Sequence, residues 1–124
     1  MCGIVGGFWR LEPADLEGRL GVALSCLSHR GPNDRGFEVA RGVGGVVALG
    51  QTRLSVIDLS SGGHQPMLNE DGSLAIIYNG EIYNYRELRE ELRAVGRVFR
   101  SESDTEVLLA AWAEWGEGCL SRLE

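Results

Sequence analysis

Apolar residues fall along the chain in two rhythms. Cys2–Trp9 (CGIVGGFW) is a continuous apolar, Gly-rich run and predicts a buried strand at the first residues. Leu16, Leu20, Ala23, Leu24 and Leu27 repeat at helical spacing behind Pro13, which predicts a helix over Pro13–Ser28. His29–Gly36 (HRGPNDRG) is dense in turn formers and reads as loop. Strands are predicted at Gly36–Ala40 and Gly45–Arg53, around the glycines at 42, 44 and 45. Leu54–Asn69 reads as a long loop with SSGG at 60–63, and loops of that length in a compact domain tend to serve function. Ser73–Tyr78 (SLAIIY) reads as a strand between Asp71-Gly72 and Asn79-Gly80. A second helix is predicted over Tyr85–Val95, with Leu88, Leu92 and Val95 inward and its arginines and glutamates outward, followed by a short strand at Val98–Arg100. Ser103 and Glu106 have capping-box spacing ahead of an apolar face of Val107, Leu108, Ala111, Trp112 and Trp115. Gly116 and Gly118 end that third helix. The order β-α-β-β-β-α-β-α belongs to the α+β or layered α/β classes.

Composition narrows the chemistry. The 124 residues suit one domain, and 44% hydrophobic content supplies a core. All twelve basic residues are arginines, so a P-loop lysine, a Schiff-base lysine and a lysine general base are excluded. A net charge of −6 without a basic patch argues against nucleic acid as a partner. No stretch reaches the ~18 apolar residues of a membrane span, so no membrane partner is expected. Three cysteines, an odd count without a secretory signal, predict a reducing, cytoplasmic setting. Cys26 and His29 are three apart with no second such pair, so no metal site is expected. The GVGG run at 42–45 lacks the third glycine of a dinucleotide fingerprint, because position 47 is Val. His64 lies in a loop with no Asp or nucleophile beside it in sequence.

Four places can carry catalysis. Cys2 follows the initiator methionine, and removal of Met1 would leave a thiol and a free α-amine on one residue. An α-amine with a pKa of about 7.7–8.0 is a usable base for its own thiol. The competing reading is a small buried residue in a strand. Asn79-Gly80 ends an apolar strand and can aim an amide and a backbone N–H at one oxyanion, although Asn-Gly is also an ordinary turn. Arg53, ahead of the long loop, can fork a carboxylate. Asp104 follows the cap residue Ser103, where a helix start would hold it rigidly for an ammonium group, or where it only complements the helix dipole.

Taken together, MCGIVGGF at 1–8, SHRGPND at 28–34, RLSVIDLSSGGHQPM at 53–67, YNGEIYNY at 78–85 and SESDTEVLL at 101–109 resemble the glutaminase domain of class II glutamine amidotransferases. The glutamine-hydrolysing asparagine synthetase type, within the N-terminal-nucleophile (Ntn) hydrolases, is the nearest match. The resemblance implies an α+β, Ntn-hydrolase-type αββα four-layer sandwich with antiparallel sheets. The family's domain runs further, so residues 1–124 would be an incomplete glutaminase domain, truncated on the C-terminal side, with the synthetase domain absent.

The resemblance also implies roles. Cys2 attacks the side-chain amide of glutamine, and Asn79 and Gly80 form the oxyanion hole. Arg53 holds the substrate carboxylate, the backbone of Leu54, Ser55, Val56 and Ile57 lines the pocket, and Glu81 and Asp104 receive the ammonium. No cofactor is implied for this portion; ATP and Mg belong to the synthetase domain, which would spend the ammonia on aspartate. Implied partners are glutamine, that synthetase domain and a homodimer copy. Gln51-Thr52 departs from the basic or His residue that the family often carries before the arginine. The competing expectation is a non-catalytic module that needs a partner or self-association to complete its sheets.

Overall fold

β1 (Gly3–Trp9) and β2 (Asp34–Gly42) both pair antiparallel with β3 (Gly45–Arg53), which therefore lies at the centre of a three-stranded sheet ordered β1-β3-β2. The structure is a computed structural model that describes residues 2–54 and 61–124. These fall into two units. The first holds residues 2–54 with His64–Pro66 and Ile77–Asn79; the second holds residues 61–63, Met67–Ile76 and Gly80–Glu124.

In the first unit, the register sets Val5 opposite Gly50, Trp9 opposite Val46 and Val39 opposite Ala48. Directly opposed residues share a face of the sheet. That face meets the helix α1 (Leu16–Cys26), and Leu16, Leu20, Val46 and Ala48 form the core with Val5, Trp9 and Val39 packed on it. The helix comes close because Gly50 offers no side chain: a Cβ there would lie 3.0 Å from Val5 and 3.2 Å from Leu24. The alternate residues Ile4, Phe8 and Val47 on the opposite face remain exposed.

α1 and β2 differ from expectation at both ends, and their starts have a plain cause. α1 starts at Leu16, not Pro13, because Asp15 at the cap has φ 54 and its carbonyl accepts the first helical bond, from Arg19 N–H at 3.0 Å. β2 begins at Asp34, inside the expected loop, because Asp34 pairs with Arg53 and Asn33 N–H donates to Arg53 O at 3.1 Å, prolonging the ladder.

In the second unit, β4 (Met67–Leu68) and β5 (Ala75–Ile76) form a two-residue antiparallel hairpin. The expected strand Ser73–Tyr78 shrinks to β5 because Ser73 and Leu74 are taken by the turn. Leu74 N–H donates to Asn69 Oδ1 at 2.9 Å and Ser73 N–H to Asp71 Oδ1 at 2.8 Å. Val98–Arg100, expected as a strand, joins no ladder among the described residues. α2 (Tyr85–Ala94) buries Leu88 and Leu92 as the pattern requires. Val95, expected inward, is 57% exposed. Arg89, expected outward, is only 4% exposed.

α3 (Asp104–Trp115) buries Val107, Leu108, Leu109 and Ala111, whereas Trp112 is 41% exposed. After Trp115, Gly116 takes φ 55 and the chain tightens into a 3-10 segment, Gly116–Arg122, that buries Cys119. The architecture is mixed α+β, with one three-stranded and one two-stranded antiparallel sheet among the described residues.

Candidate active site

The thiol of Cys2 stands at the start of β1, where register is set by Gly3 opposite Thr52. Its sulfur accepts the Leu54 N–H at 3.4 Å and lies 3.8 Å from the Leu54 carbonyl. The HRG run at 29–31 holds this corner together. Arg30 Nε donates to the Cys2 carbonyl at 3.1 Å. Gly31 lies flat on the β3 end: a Cβ there would be 2.5 Å from the Thr52 carbonyl and 2.6 Å from the Arg53 carbonyl carbon. Thr52 Oγ1 donates to Leu27 O at 3.0 Å, tying β3 to the end of α1. Arg53 is thereby buried to 9% exposure beside the thiol-bearing strand. Cys2, Arg53 and Leu54 are thus brought together by antiparallel register, from positions more than fifty residues apart in sequence.

Asn79 belongs to the same unit, and the residue before it is held in an unusual way. Tyr78 N–H donates to Gln65 Oε1 at 2.6 Å, and Tyr78 O accepts from Gln51 Nε2 at 2.7 Å. Gln51 is 1% exposed and Gln65 6% exposed. Next to Gln65, His64 Nδ1 bonds Asp34 Oδ2 at 2.6 Å, so the Asp that the local sequence does not offer His64 comes from β2. The pairing joins residues thirty positions apart, outside any local pattern.

In the second unit, Asp104 is tied to the residue that follows Gly80 and Glu81 in sequence: Ile82 N–H donates to Asp104 Oδ2 at 3.1 Å. Asp104 is 5% exposed, at the first turn of α3. Ser103 caps that helix by accepting Thr105 N–H at 3.1 Å. The expected capping box does not close. Glu106 turns instead to the preceding loop and accepts the N–H groups of Arg100 and Ser101, both at 2.8 Å, together with the Ser101 hydroxyl at 2.6 Å.

Arg89 explains its own burial at the same place. Its guanidinium donates to Ser101 O at 2.9 Å, to Ser103 O at 3.1 Å and to Glu102 at 2.9 Å, with the Phe99 ring 5.0 Å away. The two terminal nitrogens are bonded to carbonyls ahead of the helix start and to Glu102, while Nε is buried with no hydrogen-bond partner, and this fork reverses the usual outward preference of a helical arginine. No periodic signal in the sequence marks Arg89, Gln51 or Gln65 for these tasks.

Ser55, Val56 and Ile57, expected to line a substrate pocket, and the processing of Met1 lie outside the described residues. Among the described residues, no three His, Cys, Asp or Glu side chains gather as metal ligands. No helix is long and apolar enough to cross a membrane.

Comparison with known proteins gives a consistent picture. Residues 1–124 match the family described as the glutamine amidotransferase domain. The chain is 45% identical over 126 residues to asparagine synthetase [glutamine-hydrolyzing] 1 of Bacillus subtilis, covering 99% of this chain and 19% of that protein. It is 37% identical to a putative asparagine synthetase [glutamine-hydrolyzing] of Mycobacterium tuberculosis strain H37Rv, covering 99% of this chain and 21% of that protein. A putative counterpart in Methanocaldococcus jannaschii is 34% identical, with 97% of this chain and 25% of that protein covered. The chain spans about a fifth to a quarter of the length of these relatives.

Proposed function

Since the chain belongs to the glutamine amidotransferase domain family, we propose that it is the glutamine-hydrolysing part of an asparagine-synthetase-like enzyme, with Cys2 as nucleophile. The observation that carries this reading is the Cys2 thiol held against the Leu54 N–H at the end of β3, with Arg53 buried beside it. With Met1 removed, the α-amine of Cys2 takes the thiol proton as sulfur attacks the side-chain carbonyl carbon of glutamine. The Asn79 side chain and the Gly80 N–H receive the oxyanion. The α-ammonium then returns its proton to the leaving nitrogen and ammonia departs from a γ-glutamyl thioester. Water adds to the thioester with the amine again as base, and glutamate and the free thiol are regenerated. Arg53 pairs with the substrate α-carboxylate, Glu81 and Asp104 with its α-ammonium, and the backbone through Leu54, Ser55, Val56 and Ile57 lines the pocket.

On this reading residues 1–124 belong to an Ntn-hydrolase four-layer sandwich, and the ammonia serves ATP-dependent amidation of aspartate in a synthetase domain. None of the steps assigned to this chain calls for a cofactor.

The deciding experiment is glutamate release from glutamine, paired with intact mass before and after treatment with diazo-oxo-norleucine. Loss of Met1, a single adduct on Cys2, and activity abolished by Cys2→Ala are the expected results. Glutamate release no greater than that of Cys2→Ala would overturn the reading.

A second reading is supported by Ile4, Phe8 and Val47, exposed on one face of the β1-β3-β2 sheet. It is a non-catalytic module whose apolar face is covered by a partner or a second copy. Sedimentation velocity tests it: a monomer with low binding of hydrophobic dye would sink it.

A further inference from the structure

Both backbone polar groups of Tyr78 are bonded to side chains inside the first unit. The partners are side-chain amides of opposite polarity: Gln65 offers an acceptor to the N–H, and Gln51 offers a donor to the carbonyl. The Tyr78 carbonyl and the Asn79 nitrogen belong to one planar peptide group, so fixing the carbonyl fixes the plane from which Asn79 departs. The N–H grip fixes the peptide before it, and together they leave Tyr78 little torsional freedom.

The grips are themselves anchored. Gln51 sits within β3, opposite Ile4 of β1 and Gly36 of β2. Gln65 is secured by its neighbour His64, bonded to Asp34, and by close approach of β2, where a Cβ on Gly36 would lie 2.5 Å from the Gln65 carbonyl oxygen. The arrangement has a cost, since Gln51 Oε1 is buried with no hydrogen-bond partner. A polar group is left unsatisfied so that the donor can face Tyr78.

We propose that Gln51 and Gln65 are positioning residues for Asn79, holding the peptide groups on either side of Tyr78 so that the Asn79 amide stands ready for the oxyanion. This rests on the glutaminase reading above. Oxyanion donors act through placement, and a displacement of about 1 Å can cost ~10²-fold in rate. The effect therefore falls on kcat rather than on substrate binding.

The test is steady-state glutamate release by the chain and its variants, with thermal melts alongside. Gln51→Met and Gln65→Met preserve volume but remove the bonds. Each is expected to lower kcat about 10- to 100-fold, with KM within about threefold of wild type. Gln65→Glu keeps an acceptor for Tyr78 N–H and is expected to recover most of the rate, whereas Gln65→Met does not. In an Asn79→Ala background, Gln51→Met and Gln65→Met should cost less than about threefold more, because their effect passes through Asn79. Full additivity with Asn79→Ala, unchanged kcat in both Met variants, or a kcat loss that merely follows the folded fraction would each overturn the proposal. An inactive wild type would instead refute the glutaminase reading beneath it, so the two failures are distinct.

Discussion

Asp104 and Ile82 are joined across twenty-two residues by one hydrogen bond, from the Ile82 N–H to Asp104 Oδ2 at 3.1 Å. The bond locks the start of α3 to the residue that follows Gly80 and Glu81. Asp104 can therefore be probed separately as the acceptor of that backbone donor and as the proposed charge partner of the substrate ammonium. Asp104→Asn keeps an acceptor and removes the charge; Asp104→Ala removes both. The expected outcome is a raised KM for glutamine in Asp104→Asn with little change in stability. Asp104→Ala should in addition lose ~1–3 kcal/mol, the cost of orphaning a buried donor. Urea denaturation and glutamate-release kinetics on both variants check this.

Asn79 stands directly after the doubly held Tyr78. Replacing its amide with a methyl removes one proposed oxyanion donor while leaving the backbone grips in place. Asn79→Ala is expected to lower kcat by ~10²–10³ with a small change in KM. A change confined to KM would remove Asn79 from the oxyanion hole.

Arg89 is the one buried arginine of α2, and its acceptors are the Ser101 and Ser103 carbonyls together with Glu102. Glu102 is largely exposed, so the salt bridge itself contributes little. The two carbonyls lose charge-assisted bonds when the fork is removed. Arg89→Met is expected to cost ~2–4 kcal/mol in chemical denaturation. Arg89→Lys should recover less than half of that, because an ammonium cannot reproduce the planar fork.

Gly31 lies against the backbone of Thr52 and Arg53, where no side chain can yield. Gly31→Ala must shift one of the two segments, at a cost of ~1–3 kcal/mol. Because the displaced segment carries Arg53, KM for glutamine should rise as well. An alanine variant with wild-type stability and KM would show that the approach is looser than the geometry states.

The three thiols should separate by reactivity. Cys119 has no exposed surface, and burial pushes its thiol above the ordinary cysteine value. Cys26 is exposed and Cys2 half-buried. Iodoacetamide at neutral pH, read by peptide mass mapping, should label Cys26 and Cys2 while Cys119 remains unmodified until the protein is denatured. Early labelling of Cys119 would contradict its burial within the 3-10 segment.

Where the chain relies on local physics, its amino-acid order was sufficient. The strand β1, the repeat of Leu88 and Leu92 in α2, and Ser103 as the cap of α3 are read correctly, because each depends on neighbours within about four residues; the expected burial of β1 is not met, since Ile4 and Phe8 stay exposed. The sequence nominates Cys2, Arg53, Asn79, Gly80 and Asp104 as candidates through the chemistry of their residue types, and Glu81 through the family resemblance alone.

Tertiary structure decided the rest. The extension of β2 to Asp34 needed a partner in Arg53, and β5 was shortened by the turn that Asn69 and Asp71 build. Arg89 turned inward, Glu106 abandoned its capping box, and Gln51, Gln65 and the Asp34–His64 pair closed on partners elsewhere in the chain. The physical reason is common to all of them. A polar side chain goes where its hydrogen bonds can be met. Most of these partners lie a dozen or more residues away, and the nearer ones answer to no helical or strand period. Such choices are made only once sheet register and helix packing have brought those partners within reach.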